Sequence, residues 1–438
     1  MRKIPASGIN LFQLIYLLIR EYEERHRDEP DAKVLNLSLG NPDLIPPKEV
    51  LDLKSRFANR PDYDLHTYAE DKNLNRFCEG LVEVFTGVKL EAHPRLRATP
   101  IAGIKTATAI LPLACGLHLK GRENFRVATN LPAYDVMGTW AASYLGANRI
   151  AWPLSAKDGM KMKVDGLREA VRAAGAKPDL VFVIRPGNPA SAGATREEWE
   201  ALIAYCEEIG ARLVNDGAYT TLTDGTSHIP LACVAKDHPN LEWAELYSMS
   251  KSYSDPGQRL GVLIGSKDFV EDFTLIKGNT DSGPVPDGMA AYGELFRDAK
   301  NAKRLLDETY AIYRKRLDML VPRLKGIGLR PACETTSGFF TLWLVPDEAF
   351  GIDLHVEAAS RGIPRAELYN RLVIERTGIV GVHFTGPTLR SETDPKLAAE
   401  TNESFIRYAV CTDVTDPAFA RRFDAAIESI RPKYRDPA

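Results

Sequence analysis

Apolar positions along this chain alternate between two periods, and the alternation predicts its elements. Residues 197–209 set Trp199, Leu202, Ile203, Cys206 and Ile209 at helical spacing, with Thr195 and Glu198 in a capping-box pattern ahead and Gly210 behind. Residues 164–174 repeat the pattern through Val164, Leu167 and Val171 and stop at Gly175. Between such stretches lie short apolar runs at 125–128, 180–184, 211–214, 246–249 and 260–264, which read as strands. Strands alternating with helices predict an α/β fold with a large domain, its mostly parallel central sheet flanked by helices. From Lys303 the character changes: a long charged helix over 303–324 leads to a strand at 339–345 on a separate layer. The expected division is an N-terminal segment, 1–61, joining a smaller α+β domain of residues 325–438, with 62–324 as the large domain. Residues 11–19 form a short apolar run inside an amphipathic helix. It falls well below the roughly 20 apolar residues of a membrane span and is followed by charge, not by a small-residue cleavage site.

Composition then narrows the chemistry. The 438 residues carry 56 Lys and Arg against 59 Asp and Glu, a net charge of −3, with both signs interspersed. That balance argues against a nucleic-acid or membrane partner. Six cysteines lie far apart with no C-x-x-C, and eight histidines include no H-x-x-x-H, so no metal is expected and the thiols fit a reducing cytoplasm. The sequence holds no G-x-x-x-x-G-K-[ST], no G-x-S-x-G and no H-E-x-x-H.

The most informative segment is Tyr247-Ser248-Met249-Ser250-Lys251, with Arg259 eight residues beyond the lysine. A lysine leaving an apolar strand can form an imine with an aldehyde, while Ser248, Ser250 and Arg259 are suited to a phosphate. Alone, the segment also reads as a solvated hydroxyl-rich loop. Asn188 follows the run at 180–184, and Asp216 and Tyr219 follow the one at 211–214. Ligands collect at the exits of parallel strands. Each of these residues singly reads as a turn or a half-buried aromatic, but four at successive exits point to a site.

The ordered set Asn188, Asp216-x-x-Tyr219, Ser248-x-Ser250-Lys251 and Arg259 resembles the fold-type I pyridoxal-phosphate aminotransferases, the class I/II aspartate aminotransferase superfamily. The resemblance spans residues 36 to 407. It implies pyridoxal 5'-phosphate held as an internal aldimine by Lys251, which then serves as the base at Cα. It implies Asp216 against the pyridine nitrogen, Tyr219 and Asn188 on the phenolic oxygen, and Ser248, Ser250 and Arg259 on the phosphate. Gly103, Ile104 and Lys105 open a helical pattern whose N–H groups suit the same phosphate, and Tyr134 matches an aromatic stacked on the ring. Arg407, in Phe405-Ile406-Arg407-Tyr408, matches the arginine that holds the substrate carboxylate, with Gly40 and Asn188 also against the substrate. Tyr68 matches a tyrosine sent into a neighbouring subunit's phosphate site, which implies a homodimer with shared active sites.

The implied reaction is a ping-pong exchange of an amino group between an amino acid and a 2-oxo acid. β-Elimination, decarboxylation and synthase reactions on the same cofactor share Lys251 and Asp216 and stay open. A regulatory use of the fold is disfavoured, because the segment before Val34 is too short for a DNA-binding domain. The Gly103–Lys105 segment and Tyr134 also look like LL-diaminopimelate aminotransferase. Two departures bear on specificity: Asp255-Pro256 stands where small or apolar residues are expected, and residues 388–401 insert a charged loop ahead of Arg407. Residues 279–284 depart from the usual pattern of a cross-subunit loop.

Overall fold

The five apolar runs become the interior of one seven-stranded sheet. Its strands are β1 (Leu96–Ile101), β2 (Arg126–Leu131), β3 (Asn148–Pro153), β4 (Leu180–Ile184), β5 (Arg212–Asp216), β6 (Trp243–Ser248) and β7 (Gly261–Ser266). Their order is β1-β7-β6-β5-β4-β2-β3, and β7 alone runs against its neighbours. β4 and β6 are buried along their whole length, as expected of strands covered on both faces. The core beside them includes Leu111, Phe125, Val127, Phe182, Leu246 and Phe273. Each such side chain contributes roughly 1.5–3 kcal/mol by leaving water.

The direction of β7 follows from its connection. Residues 249–260 link it to β6 without a crossover helix long enough for a parallel return, so the chain turns back beside the strand it has just left. That turn carries Lys251 and Arg259.

The computed structural model describes residues 11–29, 32–68, 71–134, 136–385 and 403–435. It divides into two units, one of Asn41–Tyr313 with Glu334–Gly338, the other of Met1–Gly40, Arg314–Cys333 and Phe339–Ala438. The divisions at 40/41 and 313/314 stand against the 61/62 and 324/325 of the sequence-based expectation. Helix Lys48–Ala58 accounts for the first difference, because its Leu53 and Phe57 pack with Leu65, Ala290 and Ala291 of the sheet-bearing unit. The charged insertion at 388–401 lies outside the described residues.

The second unit contains a three-stranded antiparallel sheet in which β10 (Ser404–Ala409) lies between β8 (Phe340–Leu344) and β9 (Val382–Thr385). Leu35–Asn36 pairs in parallel with Ile379–Val380. Helix Leu11–Arg25 is present and reaches helix Arg365–Thr377 through Arg25–Glu375 at 3.0 Å. Among the described residues, no helix is long and apolar enough to cross a membrane, and no group of three metal-ligating side chains occurs.

Candidate active site

The row of residues across β1, β7 and β6 brings the anion-binding groups together. Ile101 pairs with Gly261, and Gly261 with Ser248, so the exits of β1 and β6 flank the start of β7. Beyond Ile101 the chain turns at Gly103, with φ +85°, into helix Ile104–Ala114. The first N–H groups of a helix lack partners within it, and that end is electropositive. A Cβ on Gly103 would stand 2.3 Å from Nη2 of Arg259, so both the backbone angle and the close approach require glycine here. Arg259 donates from Nη1 to the Pro256 carbonyl at 3.0 Å and from Nη2 to the Ala102 carbonyl at 3.4 Å. Ser248 caps the turn Met249–Ser252, its Oγ accepting the Ser250 N–H at 3.0 Å and lying 2.9 Å from the Ser250 hydroxyl. Two hydroxyls, a guanidinium and a helix N-terminus therefore share one sheet edge.

Asp216 ends β5, between Ile184 and Leu246 in register. The residue as a whole is partly covered, and its carboxyl lies deep in the protein. Burial pushes its pKa up to about 6, against the Ala218 N–H, which donates to Oδ1 at 3.0 Å, and the charge of Lys251. Lys251 is thus close enough to be felt electrostatically. Tyr219 is buried a few residues on. Asn188 follows β4 in a loop with cis peptides at Arg185-Pro186 and Asn188-Pro189, and its carbonyl accepts the Tyr134 N–H at 2.7 Å. The Lys105 ammonium stands 5.4 Å from the centre of the Tyr134 ring.

Eleven sequence candidates, from Gly103 to Arg259, are thereby gathered along one edge of the large sheet. Three candidates remain. Tyr68 is 76% exposed. Gly40 and Arg407 belong to the other unit, where they meet through Phe340: the Arg407 guanidinium lies 4.3 Å from that ring's centre, and a Cβ on Gly40 would stand 2.9 Å from its edge. Arg407 is buried and donates from Nη2 to the Ser38 carbonyl at 2.5 Å.

Groups supporting this edge escaped the sequence reading. Glu245, fully buried on β6, accepts from the Asn215 amide at 2.7 Å, the Tyr247 hydroxyl at 2.6 Å and the Ala232 N–H at 2.7 Å. Burial raises its pKa. Asn215 also brackets the Arg185 peptide, accepting from its N–H at 2.8 Å and donating to its carbonyl at 2.9 Å, which ties the Asn188 loop to β5. A carboxylate inside an apolar strand was the available signal, because such a charge must be partnered.

The sequence matches the family "Aminotransferase class I and II" over residues 32–423. It is 27% identical over 393 residues to an LL-diaminopimelate aminotransferase of Syntrophobacter fumaroxidans, covering 88% of this chain and 93% of that one. A Moorella thermoacetica protein of the same name is 26% identical, with 86% and 88% covered. The fold matches a probable N-succinyldiaminopimelate aminotransferase from Thermus thermophilus at a TM-score of 0.72 and 20% identity, covering 94% of this chain and 100% of that one. It also matches an aromatic aminotransferase from Pyrococcus horikoshii at 0.71 and 17%, with 93% and 97% covered.

Proposed function

We propose, for a chain that belongs to the class I and II aminotransferase family, that Lys251 is the residue that takes the cofactor and moves the proton of the reaction. The protein is a pyridoxal-phosphate-dependent transaminase, exchanging an amino group between an amino acid and a 2-oxo acid. The observation that carries the assignment to Lys251 is its place in the turn between β6 and β7, beside a desolvated carboxylate and an anion cradle. The groups present fit the cofactor: a cationic cradle for its phosphate at Gly103, Ile104, Lys105, Ser248, Ser250 and Arg259, and the Asp216 carboxyl for its ring nitrogen. When bound, pyridoxal 5'-phosphate supplies an aldehyde that condenses with amines and a ring that accepts the electrons of the Cα–H bond.

Each residue then has a defined task. Asp216, costly to ionise in this setting, gains from a cationic ring nitrogen and holds the proton there. With the cofactor bound, Tyr219 and Asn188 would donate to its phenolic oxygen, and Tyr134 would cover the ring face. In the same state, the Lys251 amine would take the proton from the substrate's Cα and deliver it to the cofactor carbon. Arg407 supplies a planar fork for the substrate carboxylate, with Gly40 giving room beside it. A homodimer in the cytoplasm completes the reading. The exposed Tyr68 phenol is available to a second copy, and the six cysteines lie far apart in the sequence with no C-x-x-C pair, as suits a reducing compartment. Recovery of the protein from an oxidising compartment on cell fractionation would refute the location.

The decisive measurement is the visible absorption of the wild type and of Lys251→Ala, each given amino acids without an acceptor. The wild type is expected to be yellow and to bleach with its amino donors, and Lys251→Ala to lack both properties. LL-Diaminopimelate belongs in the panel, because relatives bearing that name align over most of their length. Amines lacking the carboxylate should leave the colour unchanged if Arg407 has the role given to it. A colourless wild type that cannot be reconstituted would sink the assignment.

A further inference from the structure

Four residues beyond Lys251, where small or apolar residues were expected, the chain carries a buried acid. The Asp255 side chain is 7% exposed, and its Oδ2 accepts from Lys54 Nζ at 2.8 Å and from the Tyr292 hydroxyl at 2.9 Å. Lys54 comes from helix Lys48–Ala58 and Tyr292 from helix Pro286–Leu295, so one carboxylate joins two helices to the turn between β6 and β7. A carboxylate this far from water is retained only with partners, and its position is dictated by them.

The turn needs such an anchor. Ser254 and Arg259 both have φ of +53°, a left-handed conformation that side-chain-bearing residues adopt only when their surroundings impose it. Between them, the Asp255 N–H donates to the Met249 carbonyl at 3.3 Å, and its carbonyl accepts the Gln258 N–H at 3.4 Å. Gln258 lies against Gly288 of the second helix, where a Cβ would stand 2.3 Å from its amide nitrogen. The turn ends by setting the Arg259 guanidinium over Gly103 and the Ala102 carbonyl, at the start of helix Ile104–Ala114. Burial and the adjacent Asp255 charge hold the Tyr292 phenol well above its usual pKa, so it stays a hydrogen-bond donor.

We infer that Asp255 is a positioning residue for the phosphate end of the site, the Lys54–Asp255–Tyr292 clamp fixing the turn that aims Arg259 at the cofactor's phosphate. The inference rests on the assignment of Arg259 to that phosphate, and it gives the departure at Asp255 a purpose. It makes a specific demand: loosening the clamp must harm recognition of the phosphate and leave recognition of the aldehyde and ring intact. A merely structural role would harm both.

The test titrates cofactor-free protein with pyridoxal 5'-phosphate and with pyridoxal, its unphosphorylated analogue, following visible absorbance. Asp255→Ala is expected to raise the Kd for the phosphorylated aldehyde about ten- to a hundredfold and Tyr292→Phe about threefold, both leaving pyridoxal within about twofold. Loss of affinity for both aldehydes in parallel, or for neither, would overturn the inference. Should Asp255→Ala fail to fold, Tyr292→Phe decides alone, because it keeps the Lys54–Asp255 pair and removes a single hydroxyl. A wild type that binds the two aldehydes equally, or takes up neither, overturns the phosphate assignment itself and the inference with it.

Discussion

Asp216 is the residue at which structure and chemistry pull hardest against each other. Its carboxyl is lifted from an ordinary value of 3.8 to about 6, chiefly by burial, so at neutral pH the empty site carries a charge the fold would rather not hold. Below 3.8 the carboxyl is protonated whether the chain is folded or not, and there is no cost. The cost grows as pH rises from 3.8 through 6 and is complete above that, at up to about 3 kcal/mol. Asp216→Asn should therefore stabilise the cofactor-free protein at pH 7, and the advantage should fade as pH falls towards about 4. Thermal denaturation of both proteins across that range checks it; a gap that does not change with pH would remove desolvation as the cause. A cationic ring nitrogen bound at this carboxyl returns what its charge costs, so the same feature that weakens the empty protein strengthens its hold on the cofactor.

Helix Arg196–Ile209 shows how a short local signal sets an element. The Thr195 hydroxyl accepts the Glu198 N–H at 3.3 Å, and Glu198 returns the bond to the Thr195 N–H at 2.9 Å. The other oxygen of Glu198 accepts the Met162 N–H at 2.7 Å, pinning the segment before helix Val164–Ala174. Thr195→Ala should cost about 1 kcal/mol, and Glu198→Ala more, about 1–3 kcal/mol, because it strands donors in two places. Chemical denaturation measures both, and equal losses would mean the Met162 contact is idle. Both helices were legible in the sequence because their caps and apolar faces agree. The strands divide by position. Of the seven strands of the large sheet, the five found in the sequence are interior, whereas the two that escaped, Leu96–Ile101 and Asn148–Pro153, are its edges. An edge strand mixes polar and apolar residues, as Arg97 and Thr99 or Asn148 and Arg149 do here, and so lacks the continuous run that marks a buried one. The site was legible for a similar reason. Lys251, Asp216 and Asn188 follow recognisable strands, while the Asp255 clamp depends on Lys54, 201 positions away, and on Tyr292, 37 away.

At the scale of the whole molecule, the proposed sharing of sites between copies has a statistical consequence. Tyr68→Ala and Lys251→Ala damage different contributions to one site. Co-expressed at random, they should regain up to about a quarter of wild-type activity, from mixed dimers holding one intact site each. Absence of recovery in verified mixed dimers would place Tyr68 outside its partner's site. The unit built around the three-stranded sheet has a consequence of another kind. Arg25 meets Glu375 from 350 positions away, and Arg407 reaches the Ser38 carbonyl across 369. During synthesis the early segment, helix Leu11–Arg25 included, leaves the ribosome long before anything exists for it to pack on. The sheet-bearing unit, whose strands emerge between 96 and 266, can close first. Through the last stretch of translation this protein is thus a nearly complete sheet-bearing unit trailing an amphipathic helix that waits for the chain's far end, and that interval is when it is most exposed to aggregation.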